Sequence, residues 1–161
     1  AVAYDGPIAI KYARGQAYYG LKDYNEPVEY GKSEILREGS EIALVAVGNM
    51  VEETEKLYNR FLQEGRQVTF VNARFIKPLD KEMIDHLAVT HKLIVTIEEG
   101  ILHGGYGALV EEYLESKASD VKVLPIAIED TFVRHGSVEE LRKMLKIDAE
   151  SIYRRIRDIM E

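Results

Sequence analysis

Uninterrupted apolar runs alternate along the chain with runs of helical spacing. Glu41 to Val47 is apolar at every position after the first and stops at Gly48, the pattern of a strand covered on both faces. Val68 to Ile76, Leu93 to Ile97 and Val121 to Ile128 predict three more strands. Between them, Val51, Leu57, Phe61 and Leu62 recur at helical spacing over residues 51–64, with Gly65 as the stop. Met83, Ile84 and Leu87 mark a helix from Asp80 to about His91, and Leu109, Val110, Tyr113 and Leu114 mark the buried face of another. Two short helices, 138–145 and 149–160, close the chain, and Asp80, Ser137 and Asp148 stand where N-caps are needed. Near the start, Ile8 to Tyr12 is strand-like, while Gly15 to Pro27 shows no period and reads as a linker. Val28–Tyr30 and Glu34–Leu36 flank Gly31-Lys32-Ser33 at the spacing of a hairpin. Strands alternating with helices predict an α/β fold, a three-layer αβα sandwich with a mostly parallel sheet and an antiparallel edge hairpin.

The 161 residues make about one domain, and 46% hydrophobic with 30% charged residues is an ordinary globular mix. A formal charge of −7 argues against nucleic acid as a partner, because phosphate binding rests on Lys and Arg. With no cysteine, disulfides, thiolate nucleophiles and Cys-ligated metals drop out. No apolar run approaches the roughly 20 residues that cross a bilayer, and the first residues lack the pattern of a signal peptide. The expectation is a cytoplasmic protein without a membrane partner. Ala1 to Gly6 has no initiator Met and Pro7 to Tyr12 already reads as a strand, so the chain is expected to start at a boundary inside something longer.

Open parallel sheets bind ligands at the carboxyl ends of their strands. In the loop from Glu98 to Gly107, Gly104-Gly105-Tyr106-Gly107 at a helix start could cradle an anion, or simply be a tight turn that lets the helix pack closely. Glu98 and Glu99 would repel a phosphate there. The loop from Glu129 to Ser137 holds the acid, the imidazole and the hydroxyl of a hydrolytic triad, but within one turn and without a nucleophile elbow, so capping by Ser137 is expected instead. His86, His91, His103 and His135 show no metal-ligand spacing, and no metal site is expected. Arg74 and Lys77 could meet a substrate anion or pair with Asp80 and nearby helix ends. Lys11-Tyr12-Ala13-Arg14-Gly15 delivers a Lys and an Arg into a Gly-flanked loop, where Arg14 suits bidentate phosphate binding or is a surface cation.

Taken together, four stretches carry a resemblance. Gly6 to Gly15 is similar to GPxAxRYPRG, Ala73 to Asp80 to ARFxKPLD, Thr96 to Gly107 to TxEEGxxxGGxG and Ile128 to Gly136 to IxDxFxxHG. In this order and with similar gaps they resemble the 1-deoxy-D-xylulose-5-phosphate synthase family of the transketolase superfamily. The resemblance implies that residues 1–27 are the tail of a central pyrimidine-binding domain with a linker, and 28–161 a transketolase-type C-terminal domain. It implies a homodimeric transferase whose full-length chain uses thiamine diphosphate and Mg2+ to decarboxylate pyruvate and join the product to D-glyceraldehyde 3-phosphate. That product feeds isoprenoid, thiamine and pyridoxal synthesis.

The family's GDG motif with a downstream Asn is absent here, and its cofactor-activating glutamate would precede Ala1. The resemblance therefore implies no catalytic, cofactor-binding or metal residue in this chain, and no activity of the chain alone. Arg14 matches the second Arg of RYPRG, which in the superfamily reaches the acceptor's phosphate. Lys11 stands in place of the first Arg and Ala13 in place of Pro, and Lys11 has no assigned role. The rival readings are the C-terminal domain of a transketolase or of a 2-oxoacid dehydrogenase β subunit, and a free-standing assembly or regulatory module. The ARFIKPLD and DTFVRHG stretches favour the synthase.

Overall fold

The computed structural model describes residues 4–12, 18–22, 24 and 27–160. Along the chain run β1 (Glu34–Arg37), β2 (Glu41–Ala46), α1 (Met50–Gln63), β3 (Thr69–Asn72), α2 (Lys81–Thr90), β4 (His91–Ile101), α3 (Tyr106–Ser116), β5 (Lys122–Ile128), α4 (Val138–Leu145) and α5 (Ala149–Met160). Among the described residues five strands form one sheet in the order β1-β3-β2-β4-β5. The β2–β3, β2–β4 and β4–β5 pairs are parallel, and β1 is antiparallel to β3.

Successive strand residues point to opposite faces, so the continuous apolar runs feed two cores at once. Ile42 and Leu44 of β2 join Leu93, Val95 and Ile97 of β4 under α1 and α5, against Leu57, Phe61, Ile152 and Ile156. Ala43, Val45 and Ile94 face the other way, onto Ile84 and Leu87 of α2 and Tyr106 and Val110 of α3. This is the three-layer arrangement the alternation predicts. Asp80 and Ser137 accept from backbone N–H groups at the starts of α2 and α4, and Asp148 accepts from Ser151 N before α5.

Several details differ from the sequence expectation. The antiparallel edge is β1 alone, registered on β3 with Glu34 opposite Asn72 and Ile35 opposite Val71, and Val28 to Tyr30 is not a strand. Pairing with β3 joins β1 to the main sheet and buries Leu36, which an isolated two-stranded hairpin could not do. Ile8 to Tyr12 forms no strand and is exposed, since no described strand lies beside it to complete a ladder. β3 ends at Asn72, before Arg74 turns into the left-handed region at φ 55°. β4 carries on through Glu98 and Glu99 to Ile101, with a register shift after Ile97. Within the 15–27 stretch, Tyr18, Leu21 and Tyr24 lie on Leu36, Ala46, Val51 and Phe70, while Tyr19 is exposed.

Candidate functional site

From β2 the chain crosses first to β3 on one side and later to β4 on the other. The strand order therefore reverses between β2 and β4, where an open α/β sheet has its ligand crevice. Here the chain's own polar groups span that place. Asn49, just after β2, donates its side-chain amide to Glu99 at the end of β4. Arg142 of α4 donates Nε–H to the same carboxylate at 2.7 Å. Arg142 is the only residue of α4 that is buried, and its guanidinium also lies 4.0 Å from the buried Glu53 of α1. Glu53 in turn pairs with Lys56 and accepts from Ala149 N at 3.2 Å, at the start of α5. This charged chain links four elements. No sequence spacing reveals it, because its members lie 43 and more residues apart apart from the Glu53–Lys56 step.

The Gly-rich turn before α3 does offer free amides, and Glu98 takes one. Glu98 is 3% exposed, and its Oε1 accepts from Gly107 N at 2.9 Å. The first turn of a helix carries unsatisfied N–H groups and partial positive charge, so a carboxylate is stabilised there. The glycines allow that approach. A Cβ on Gly105 would sit 2.2 Å from Ile101 O and 2.6 Å from Glu98 Oε1, and one on Gly107 would sit 2.6 Å from Thr96 Oγ1 and 2.8 Å from Pro125 Cβ. The close-packed turn is the reading the structure supports. Beside it, burial and then the charges of Asp80 and Glu98 push the phenol of Tyr106 above its ordinary range.

The other candidates divide. Ser137 forms a capping box with Glu140: Oγ accepts from Glu140 N at 3.3 Å, and Glu140 Oε2 accepts from Ser137 N at 3.1 Å. Its hydroxyl also donates to Glu140 Oε2 at 2.7 Å rather than serving His135. Arg74 pairs with Glu34 of β1 at 2.6 Å, not with Asp80. Asp80 instead accepts from Ser33 N at 2.6 Å and Met83 N at 3.2 Å. Lys77 lines an open groove with Pro78, Leu79, Lys81, Leu109 and Tyr113.

His91 lies between Thr69 Oγ1 at 2.7 Å and Thr90 Oγ1 at 2.8 Å, and burial lowers its pKa. Among the described residues no three His, Asp or Glu side chains converge as metal ligands. Lys11 is exposed, and Arg14 lies outside the described residues.

The family model of the transketolase C-terminal domain matches residues 31–152. Among curated proteins, the chain is 43% identical over 156 residues to the 1-deoxy-D-xylulose-5-phosphate synthase of Lachnoclostridium phytofermentans, covering 96% of this chain and 25% of that protein. It is 40% identical over 162 residues to the synthase of Heliobacterium modesticaldum, covering 100% of this chain and 25% of that protein. Among solved structures, a split-gene transketolase, described as an inactive beta4 tetramer, superposes with a TM-score of 0.77. That match has 24% identity and covers 83% of this chain and 44% of the other, a likeness of fold. The chain thus spans about a quarter of the length of the curated relatives it matches.

Proposed function

The chain belongs to the transketolase C-terminal domain family, and from that premise we propose that it is the C-terminal portion of a 1-deoxy-D-xylulose-5-phosphate synthase. The whole enzyme would condense pyruvate with D-glyceraldehyde 3-phosphate and release CO2. The observation that carries this reading is the agreement of relatives with that name over nearly the whole chain, at 43%, 40% and 39% identity. Residues 28–161 are assigned to the C-terminal domain and 1–27 to the end of the preceding domain with its connection. A homodimer working in the cytoplasm completes the proposal.

Thiamine diphosphate supplies the electron sink for the decarboxylation when it is bound to such an enzyme. The described residues do not fit it. The Gly107 amide at the start of α3 already donates to the buried Glu98, and a second anion beside that carboxylate would be repelled. The cofactor and its Mg2+ are therefore assigned to other parts of the enzyme, and the chain alone is assigned no activity.

Arg14 is assigned to the phosphate of the acceptor. In the full-length enzyme, Arg14→Ala should raise the KM for glyceraldehyde 3-phosphate about tenfold, the scale of one charged hydrogen-bonded contact, with little change in the KM for pyruvate. Equal rises in both constants would remove Arg14 from that role.

A further inference from the structure

α2 passes into β4 with no residue between them. Thr90 is the last residue of the helix, and His91 is already extended at φ −125° and ψ 157°, its backbone N–H still bonded to Leu87 O. This abrupt junction at the amino end of the sheet is joined to its neighbours by side chains. Thr90 Oγ1 and Thr69 Oγ1 stand on the two ring nitrogens of His91, at 2.8 Å from Nδ1 and 2.7 Å from Nε2. Thr69 Oγ1 also accepts from Gly39 N, in the turn between β1 and β2, at 3.0 Å.

The hydrogens in this chain of bonds follow from what each group can give. A threonine hydroxyl has one proton to donate, and a carbonyl oxygen only accepts. Thr90 Oγ1 gives its proton to His86 O at 2.7 Å, so it accepts from the ring, and Nδ1 carries the hydrogen. A neutral imidazole then has a bare Nε2, which accepts from Thr69 Oγ1. The bonds run one way, from Gly39 N–H through Thr69 and His91 to Thr90 and His86 O. A proton added at Nε2 would set two donors against each other. Thr69 is 3% exposed, and its hydroxyl hydrogen would lose its acceptor in a buried place.

The surroundings offer a charged ring little in return. Burial lowers the pKa of His91, the Leu87 carbonyl opposes that in part, and His86 on α2 adds to it. At the starts of β2 and β4 stand Glu41 and Lys92, which pair with each other, and Glu41 also pairs with Arg66. β3 carries no titratable side chain. The ring's two bonds go to hydroxyls, not to a carboxylate.

We propose that neutral His91 is the keystone of a proton-sensitive clamp that ties α2, β3 and the β1–β2 turn together at the amino edge of the sheet, and that protonation at Nε2 opens it. The unfolded chain takes up this proton near 6.5 and the folded chain only at lower pH. The clamp's contribution to stability is therefore full above 6.5 and is lost as the pH falls from there toward the folded value.

Nitrogen-15 NMR of the ring in the 161-residue chain at neutral pH should find hydrogen on Nδ1 and none on Nε2; the opposite tautomer would overturn the proposal. On acid titration the His91 midpoint should lie below 6.5. Thr69→Val keeps the outline of the side chain but removes the hydroxyl, and should move that midpoint up toward 6.5, whereas Thr69→Ser should leave it in place. An unchanged midpoint in Thr69→Val would leave burial alone as the cause and refute the clamp, and so would an equal rise in both variants. In denaturant unfolding the unaltered chain should lose stability as the pH falls below 6.5. His91→Gln, which offers Thr69 an acceptor but does not titrate, should lose less. The same loss in both chains would place the acid sensitivity elsewhere and overturn the proposal.

Discussion

α3 and α4 both begin by giving a glutamate carboxylate to free backbone N–H groups, and they could hardly differ more in what this achieves. At α3 the carboxylate comes from Glu98, nine residues back on β4, and is buried against Gly100, Gly105 and Gly107. It ties the helix to the centre of the sheet and fills the anion cradle. At α4 the carboxylate comes from Glu140 in the helix's own first turn, capping Ser137 in full view of solvent. Here the cap fixes only local backbone. Beside Leu145 against the core, what ties α4 to the rest of the fold is Arg142, reaching Glu99 and Glu53. One device serves as a long-range lock when buried and as a local trim when exposed.

The largest expected effect lies at the buried cap. Glu98→Ala leaves Gly107 N–H without its partner in a dry site and should cost about 3 kcal/mol by denaturant unfolding. A cost near zero would mean that the α3 start is not locked by this carboxylate. Gly107→Ala should cost about 2 kcal/mol in the same measurement, because the new methyl overlaps Thr96 Oγ1 and Pro125 Cβ in a packed interior. A neutral result would show that α3 has room to withdraw from the sheet.

At the exposed cap the changes shrink. Ser137→Ala should cost about 1 kcal/mol, and the fold should survive intact. This cap should also titrate. Hydrogen bonds from the Ser137 side chain and backbone hold Glu140 below its ordinary value of 4.5. A carboxylate with a lowered folded pKa contributes stability above its unfolded pKa and loses it as the pH falls through the folded one. An NMR titration of the Ser137 amide should therefore show α4 fraying with a midpoint below 4.5. A midpoint above that value would mean that the cap is not made in solution.

The same contrast marks how much was legible in the sequence. The Ser137 cap could be read because its partners lie three residues apart, within one helical turn. Strands β2, β4 and β5 could be read because a two-faced core needs apolar residues at successive positions. The role of Glu98 could not, since its distance from Gly107 depends on how far β4 runs. A carboxylate in a loop would repel a phosphate; Glu98, on β4, itself accepts from the amide at the head of α3. The hairpin expectation failed for a related reason, because the spacing around Gly31 could not show that β3 would offer β1 a buried partner. Arg142 gave no signal at all in its helix, where it reads as one more surface cation.

At the carboxyl end of this sheet the Gly107 amide is already committed to the chain's own Glu98 carboxylate, and a cofactor's diphosphate would have to displace it. Calorimetric titration of the chain with thiamine diphosphate and Mg2+ tests it most directly. The expected result is no saturable heat, with Glu98 left in place at the head of α3. Binding at micromolar concentrations would contradict the claim and put the cofactor site back within these residues.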